Sequence, residues 1–164
     1  MTHIVVLADT HVGPHSNRQI PAAAYRHFDR ADLVLHAGDL VMAEVLHELE
    51  GFAPVHAVLG NNDHDLFGVL PERVELEVDG VRFGIVHDSG ETQGRAARMA
   101  RWFPDADVVV FGHSHMPCAE VGVAGQLLFN PGSSTWKRRA PSHTIGLIDL
   151  DEGRLVSHQI VVVD

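Results

Sequence analysis

The sequence predicts an α/β fold in which a mostly parallel sheet packs against a second sheet richer in antiparallel strands. Three observations carry this. Short runs of Val, Ile and Leu recur along the chain. In the first half they alternate with segments of helical length, and in the second half they follow one another across short turns. The first strand is read at residues 4–8, a helix at 20–30, a strand at 33–36, a helix at 41–50 and a strand at 55–59. These strands are short, β-branched and apolar, as expected of strands buried on both faces. Residues 73–78 and 81–86 read as a hairpin, because Asp79-Gly80 suits a two-residue turn with positive φ. A helix over about 92–102 stops before Pro104, and a strand follows at 108–111. Further strands at 119–123, 126–129, 144–150 and 155–162 are expected to build the second, largely antiparallel sheet.

At 164 residues the chain fits one domain, 1–164, with no internal repeat or linker. Twelve Lys and Arg stand against 22 Asp and Glu, a formal charge of −10. That charge argues against a groove for an extended nucleic acid but not against a small phosphate ester, since two bound dications would make a local cationic site. The single cysteine, Cys118, rules out an intrachain disulfide and a thiolate cluster. Met1 leads almost at once into a strand-like run with no basic leader, and no apolar stretch nears the roughly 20 residues that span a bilayer. A soluble, cytoplasmic protein is the expectation.

Five polar signatures each close an apolar run: Asp9-Thr10-His11, Gly38-Asp39, Gly60-Asn61-Asn62-Asp63, His87-Asp88 and Gly112-His113-Ser114-His115. The carboxyl edge of an open α/β sheet is the usual ligand site, so residues 9 to 115 are expected to gather on one rim. Asp9 and His11, like His113 and His115, are two apart, and on an extended segment each pair would project to one side. Asp39 is the natural bridge between two ions, with two carboxylate oxygens and a glycine beside it. Asn61 offers a neutral oxygen and His87 an imidazole. Each residue taken singly is an ordinary strand-end polar group; the case rests on the ordered set. His36, three residues before Asp39, is a candidate to orient a ligand. Lys137-Arg138-Arg139 reads first as a solvated turn and second as a guide for an anionic substrate, and Phe67 and Trp136 lie in loops where stacking is conceivable.

This ordered set, Asp-x-His, Gly-Asp, Gly-Asn, His and Gly-His-x-His, resembles the calcineurin-like metallophosphoesterase superfamily. The later Asn130-Pro131-Gly132-Ser133 is similar to that of its small prokaryotic phosphodiesterase branch. The resemblance implies two packed mixed β-sheets flanked by helices, a four-layer sandwich, with a binuclear metal centre at the strand ends. Carried over by motif, Asp9, His11, Asp39 and His115 would hold one ion, and Asp39, Asn61, His87 and His113 the other. Two divalent ions are expected, manganese first, with iron, zinc or nickel as alternatives. The implied activity is hydrolysis of a small phosphoester, a diester before a monoester, by a bridging hydroxide. The chain departs from many members in carrying Asn62 where they have the His that serves the leaving group; Asp63 and His64 are the remaining candidates for that catalytic step, although the plainer reading makes Asp63 a structural hydrogen-bond partner and His64 a solvated loop residue. The alternatives are a non-catalytic protein-binding scaffold, as in the retromer subunit of the superfamily, and a nucleotide or dinucleotide polyphosphate hydrolase. Exposed strand edges in such folds make a homodimer conceivable.

Overall fold

The computed structural model describes residues 1–164. Its strands and helices run β1 (Thr2–Leu7), α1 (Ala22–Phe28), β2 (Leu33–His36), α2 (Ala43–Glu50), β3 (Val55–Ala57), β4 (Arg73–Val78), β5 (Val81–Val86), α3 (Arg95–Trp102), β6 (Val108–Val110), β7 (Cys118–Val121), β8 (Leu127–Asn130), β9 (Thr144–Asp151) and β10 (Arg154–Val162). They form two five-stranded sheets, ordered β10-β9-β1-β2-β3 and β4-β5-β6-β8-β7. No helix is long and apolar enough to cross a membrane.

Alternation along the strands assigns the layers, because successive side chains of a strand point to opposite faces. Ile4, Val6 and Ala8 of the first strand and its exit join Leu35, Phe83, Ile85, Val110, Phe129 and Ile148 in a core between the sheets. Val5 and Leu7 face the other way, onto Ala24 and Phe28 of α1 and Val45 and Leu49 of α2. Val109 and Leu128 meet Met99 and Phe103 at α3. The order is therefore helix, sheet, sheet, helix. The β4–β5 hairpin turns at Asp79 (φ 46°) and Gly80 (φ 78°), the positive pair that a tight two-residue turn requires.

Two expectations about the second half are corrected. The middle of the second sheet is parallel: β6 lies parallel to both β5 and β8, and only β4 and β7 at the edges are antiparallel. The last two strands do not belong to that sheet at all. β9 pairs antiparallel with β1, Ile4 opposite Ile148, and β10 pairs with β9. Residues 131–143 between β8 and β9 form a loop long enough to cross from one sheet to the other. Short turns between apolar runs read in sequence as neighbouring antiparallel strands, whereas pairing is settled by which buried faces fit together. The helices also begin inside their expected bounds; α1 begins only after Pro21, which has extended backbone.

Candidate metal centre

The carboxyl ends of β1, β2, β3, β5 and β6 deliver the five signatures to one edge, where the two sheets meet. They do so without the extended backbone that the two-residue spacing suggested. Asp9 (φ 53°), His11 (φ 42°), Asp39 (φ 61°), His113 (φ 71°) and His115 (φ 60°) all lie in the left-handed region. That region is uncommon for any residue with a Cβ, and its concentration here marks loops held by their surroundings. The holding contacts are specific. Asp9 N–H donates to Gly38 O and His11 N–H to Asp39 O, both at 2.9 Å, which laces the β1 exit to the β2 exit. Ser133 Oγ donates to Asp9 O at 2.7 Å and Thr135 Oγ1 to Thr10 O at 2.5 Å. Asn130 Nδ2 donates to Gly112 O at 3.2 Å. The Asn130-Pro131-Gly132-Ser133 segment is thus a brace between the β1 and β6 exits.

The side chains converge as two overlapping triads, Asp9 with His11 and His115, and Asp9 with Asp39 and His87, in each of which the ligand atoms lie within 4.8 Å of one another. All five residues are buried. Asp39 Oδ2 sits 3.3 Å from His11 Nε2 and 3.4 Å from His87 Nε2, between the two halves. Asp9 Oδ1 stands 3.6 Å from His115 Nε2 and 3.9 Å from both His11 and His87. Sequence reasoning gave the shared position to Asp39 alone; here Asp9 belongs to both groups as well. Asn61 Oδ1 lies 2.9 Å from His87 Nε2 and 3.2 Å from His113 Nδ1, so these three form the outer end of the cluster. Asn61 and His113 are exposed, which makes that end the mouth of the site.

Two features test whether this set suits a cation. Both carboxylate oxygens of Asp9 are buried and without a hydrogen-bond donor, a costly state for a carboxylate unless a positive charge is at hand. His11 Nε2 and His115 Nε2 face each other at 3.2 Å, an arrangement in which a shared cation satisfies both lone pairs. The backbone prepares those lone pairs: His87 Nδ1 donates to Ala37 O at 2.7 Å and His115 Nδ1 to Trp136 O at 2.5 Å, leaving each Nε2 free toward the centre. An all-imidazole and oxygen set fits manganese, iron, zinc or nickel. The residues fit a binuclear centre.

Without a cation the charges settle by compensation. Burial pushes the Asp9 carboxyl up to about 7. Burial would raise Asp39 too, but the hydrogen bond and charge of His87, with two hydrogen bonds from Asn62, hold it well below the usual range. Burial opposes protonation of His87, yet Asp39 and Asp9 raise it to about 8. Burial lowers His11 and takes His115 down to about 4.

Of the two candidates for the leaving-group step, Asp63 is committed elsewhere. It is buried, and its carboxylate accepts three backbone N–H groups: Asp39 at 2.8 Å, Val41 at 2.6 Å and Gly60 at 2.7 Å. It clamps two site loops together and has its oxygens taken. His64 is exposed, at the start of a short 3₁₀ turn beside Asn61. His36 is fully buried; its Nδ1 accepts from Gly38 N–H at 3.1 Å and its Nε2 donates to Thr10 Oγ1 at 3.1 Å, so it ties the same loops.

Several participants escaped the sequence reading. Asn62, noted there only as a missing histidine, donates its N–H to Asp39 Oδ1 and its Nδ2–H to Asp39 Oδ2, both at 2.9 Å. Asp88 lies 3.8 Å from His113 Nε2, on the ring edge away from the cluster. Their place inside the signatures was the one available signal. Trp136 stands edge-on to His11 and His115, with ring centroids 5.2 Å away in each case, and the guanidinium groups of Arg18 and Arg138 lie over its ring. Of the basic tripeptide, only Arg138 reaches the site's backbone, at His113 O. Nothing in the local sequence pairs Arg18 with residue 136.

Residues 2–153 match the profile of the calcineurin-like phosphoesterase superfamily domain. A probable metallophosphoesterase of Methanothermobacter thermautotrophicus is 38% identical over 140 residues, covering 82% of this chain and 78% of that one. Another from Methanocaldococcus jannaschii is 32% identical over 142 residues, 82% of this chain and 69% of its own length. Among solved structures, a Thermotoga maritima protein is 27% identical with a TM-score of 0.76 over 99% of both chains. Vps29 of Entamoeba histolytica complexed with Zn²⁺ superposes with a TM-score of 0.80 over 99% of this chain and all of that one, at 23% identity, a likeness of fold.

Proposed function

The chain belongs to the calcineurin-like phosphoesterase superfamily, and from that premise we propose that it is a metal-dependent phosphodiesterase acting on a small substrate. The observation that carries this reading is the Asp9 carboxylate, sealed from solvent with no donor and ringed by His11, His87 and His115. In this reading Asp9, His11, Asp39 and His115 hold one ion and Asp39, Asn61, His87 and His113 the other, with Asp9 close to both. Manganese is the first candidate. Two bound dications supply charge neutralisation to the phosphoryl oxygens and water acidified to near-neutral pKa.

The chain's own residues do the rest. Ala37 O and Trp136 O fix the tautomers of His87 and His115. Asn62 holds both oxygens of Asp39, and Asp63 fixes the backbone on either side of it. Arg138 places positive charge beside the centre, where an anionic ester approaches. With Asp63 committed to backbone donors, the one candidate left to assist the departing oxygen is His64, which is exposed at the mouth, so no buried acid is fixed against that oxygen. Leaving groups that depart without a proton are therefore favoured.

The test is metal-stripped protein assayed on an aryl phosphodiester and an aryl phosphomonoester, with manganese, nickel, zinc or magnesium restored. Diester cleavage should return with metal and exceed monoester cleavage, and Asp39→Asn should lose both metal occupancy and turnover. Folded, metal-occupied protein with no turnover on either ester would transfer the assignment to a binding scaffold. Preferred cleavage of the monoester would overturn the diester assignment alone.

A further inference from the structure

A cavity of about 450 Å³ opens directly against the mouth of the metal centre, with Asn61 and His87 in its wall. That size suits a small organic group. Its remaining wall is unlike the other side of the centre. Phe67 and Trp102 supply aromatic surface, Glu72 and Asp88 supply carboxylates, and Arg73 contributes a cation. That cation is engaged: its guanidinium lies 4.0 Å from the Trp102 ring centre. On the opposite flank, Arg18 and Arg138 lie over Trp136 beside His11 and His115. The centre thus has one cationic flank and one that is aromatic and net acidic.

Phe67 is the informative residue. It is 79% exposed, a large aromatic ring left in water at the edge of a polar site. The backbone beneath it is nevertheless fixed. Leu66 beside it is buried, Val69 N–H donates to Leu66 O at 2.9 Å, Leu70 N–H to the same oxygen at 3.1 Å, and Phe67 bridges to Leu70. The ring therefore stands on a hydrogen-bonded turn, uncovered by the chain itself, in the wall of this cavity.

We propose that this cavity is the subsite for the leaving alcohol of the diester and that it selects a flat, uncharged aromatic group, with Phe67 as a specificity-determining wall. A second phosphate on this half would meet Glu72 and Asp88 against the single guanidinium of Arg73, so polyphosphate leaving groups are disfavoured here, whereas aryl or base-like groups gain ring contact with Phe67 and Trp102. This rests on the phosphodiesterase reading for its meaning as a substrate site.

The sequence contains two tryptophans, so a Trp136→Phe background leaves Trp102 as the one reporter in the cavity. Metal-loaded protein in that background is titrated with 4-nitrobenzylphosphonate, a non-hydrolysable ligand whose nitroaromatic ring quenches nearby tryptophan. Methylphosphonate is measured by competition. Saturable quenching is expected, with the aryl ligand bound roughly tenfold more tightly than the methyl one, and Phe67→Ala should shrink that ratio about three- to tenfold. Phe67 is exposed, so Phe67→Ala leaves the core untouched, and circular dichroism checks this. Absence of saturable quenching, or a ratio indifferent to Phe67→Ala, overturns the subsite. A ligand bearing a second phosphate on the alcohol half that binds more tightly than the aryl ligand overturns its selectivity. The binding arm needs no turnover: saturable quenching in a protein that cleaves no ester removes the enzyme reading and leaves the aryl site standing.

Discussion

Asp63 is the residue whose chemistry most changes when its neighbours are known. A carboxylate that accepts three backbone N–H groups, all from the loops that carry Asp39 and Gly60, is a structural anchor with charge-assisted bonds. Replacing it with Asn removes the charge and turns an amide N–H₂ toward backbone donors. Asp63→Asn should cost on the order of 2–3 kcal/mol of stability, read by urea denaturation; an unchanged midpoint would refute the anchor. Asn62 acts one step closer to the ions, through both oxygens of Asp39. Partners of metal ligands typically tune affinity by about 10–100-fold. Asn62→Ala should weaken metal binding within that range by calorimetry while leaving the fold intact. Gly60 completes the group, since a Cβ there would run into the Asp39 carboxylate and amide.

The strands position these residues by alternation and by close approach. β1 sends Ile4 and Val6 between the sheets and Val5 and Leu7 to the helices, so its exit must emerge where both layers end, which is where Asp9 lies. On the other side, α3 docks on the second sheet through Phe103, whose ring fills the space above Gly84 of β5. A Cβ at Gly84 would stand 2.5 Å from Phe103 Cδ1. Gly84→Val should therefore destabilise by about 1–3 kcal/mol through overpacking. Because β5 delivers His87 three residues later, metal affinity should fall as well; a variant with wild-type melting temperature and affinity would show that α3 docking is irrelevant to the site.

For the whole molecule, the buried titratable cluster sets a pH dependence of stability in metal-stripped protein. His36 and His115, depressed by burial to about 3 and about 4, remain neutral in the folded chain while the unfolded chain protonates them below about 6.5, and burial shifts His11 in the same direction. Their stabilising neutral burial is present above that pH and lost as pH falls. Asp9, raised by burial to about 7, opposes them, because the folded chain keeps its proton where the unfolded chain has lost it. Two imidazoles, with His11 shifted the same way, outweigh one carboxyl, so stability should decline as pH falls from 6.5 toward 4. Each proton taken up contributes about 1.4 kcal/mol per pH unit. Above 6.5 the sign reverses. His87, raised to about 8, and Asp9 hold protons in the folded state, and that contribution disappears as pH rises through 7 and 8. Urea unfolding across pH 4 to 9 should show a maximum near 6.5, and a bound dication should flatten its alkaline side; a monotonic profile would contradict the assignment.

Much of this protein was legible in its sequence, for physical reasons that act locally. Val/Ile/Leu runs of strand length, the Asp79-Gly80 turn and the placement of each polar signature after an apolar run are short-range consequences of backbone sterics and burial. They located β1, β2, β4 and β5 and the candidate ligands from Asp9 to His115. What the tertiary structure alone decided is everything that depends on partners distant in the chain. It returned β9 to pair with β1, turned Asp9, His11, His113 and His115 inward through left-handed backbone, and converted Asp63 and Asn62 into clamps on Asp39. It also set Arg18 over Trp136 and left Phe67 facing a cavity. Hydrogen bonds and ring contacts across 23 or more residues leave no periodicity for a sequence to display, because they arise only when packed layers bring separate loops to one edge.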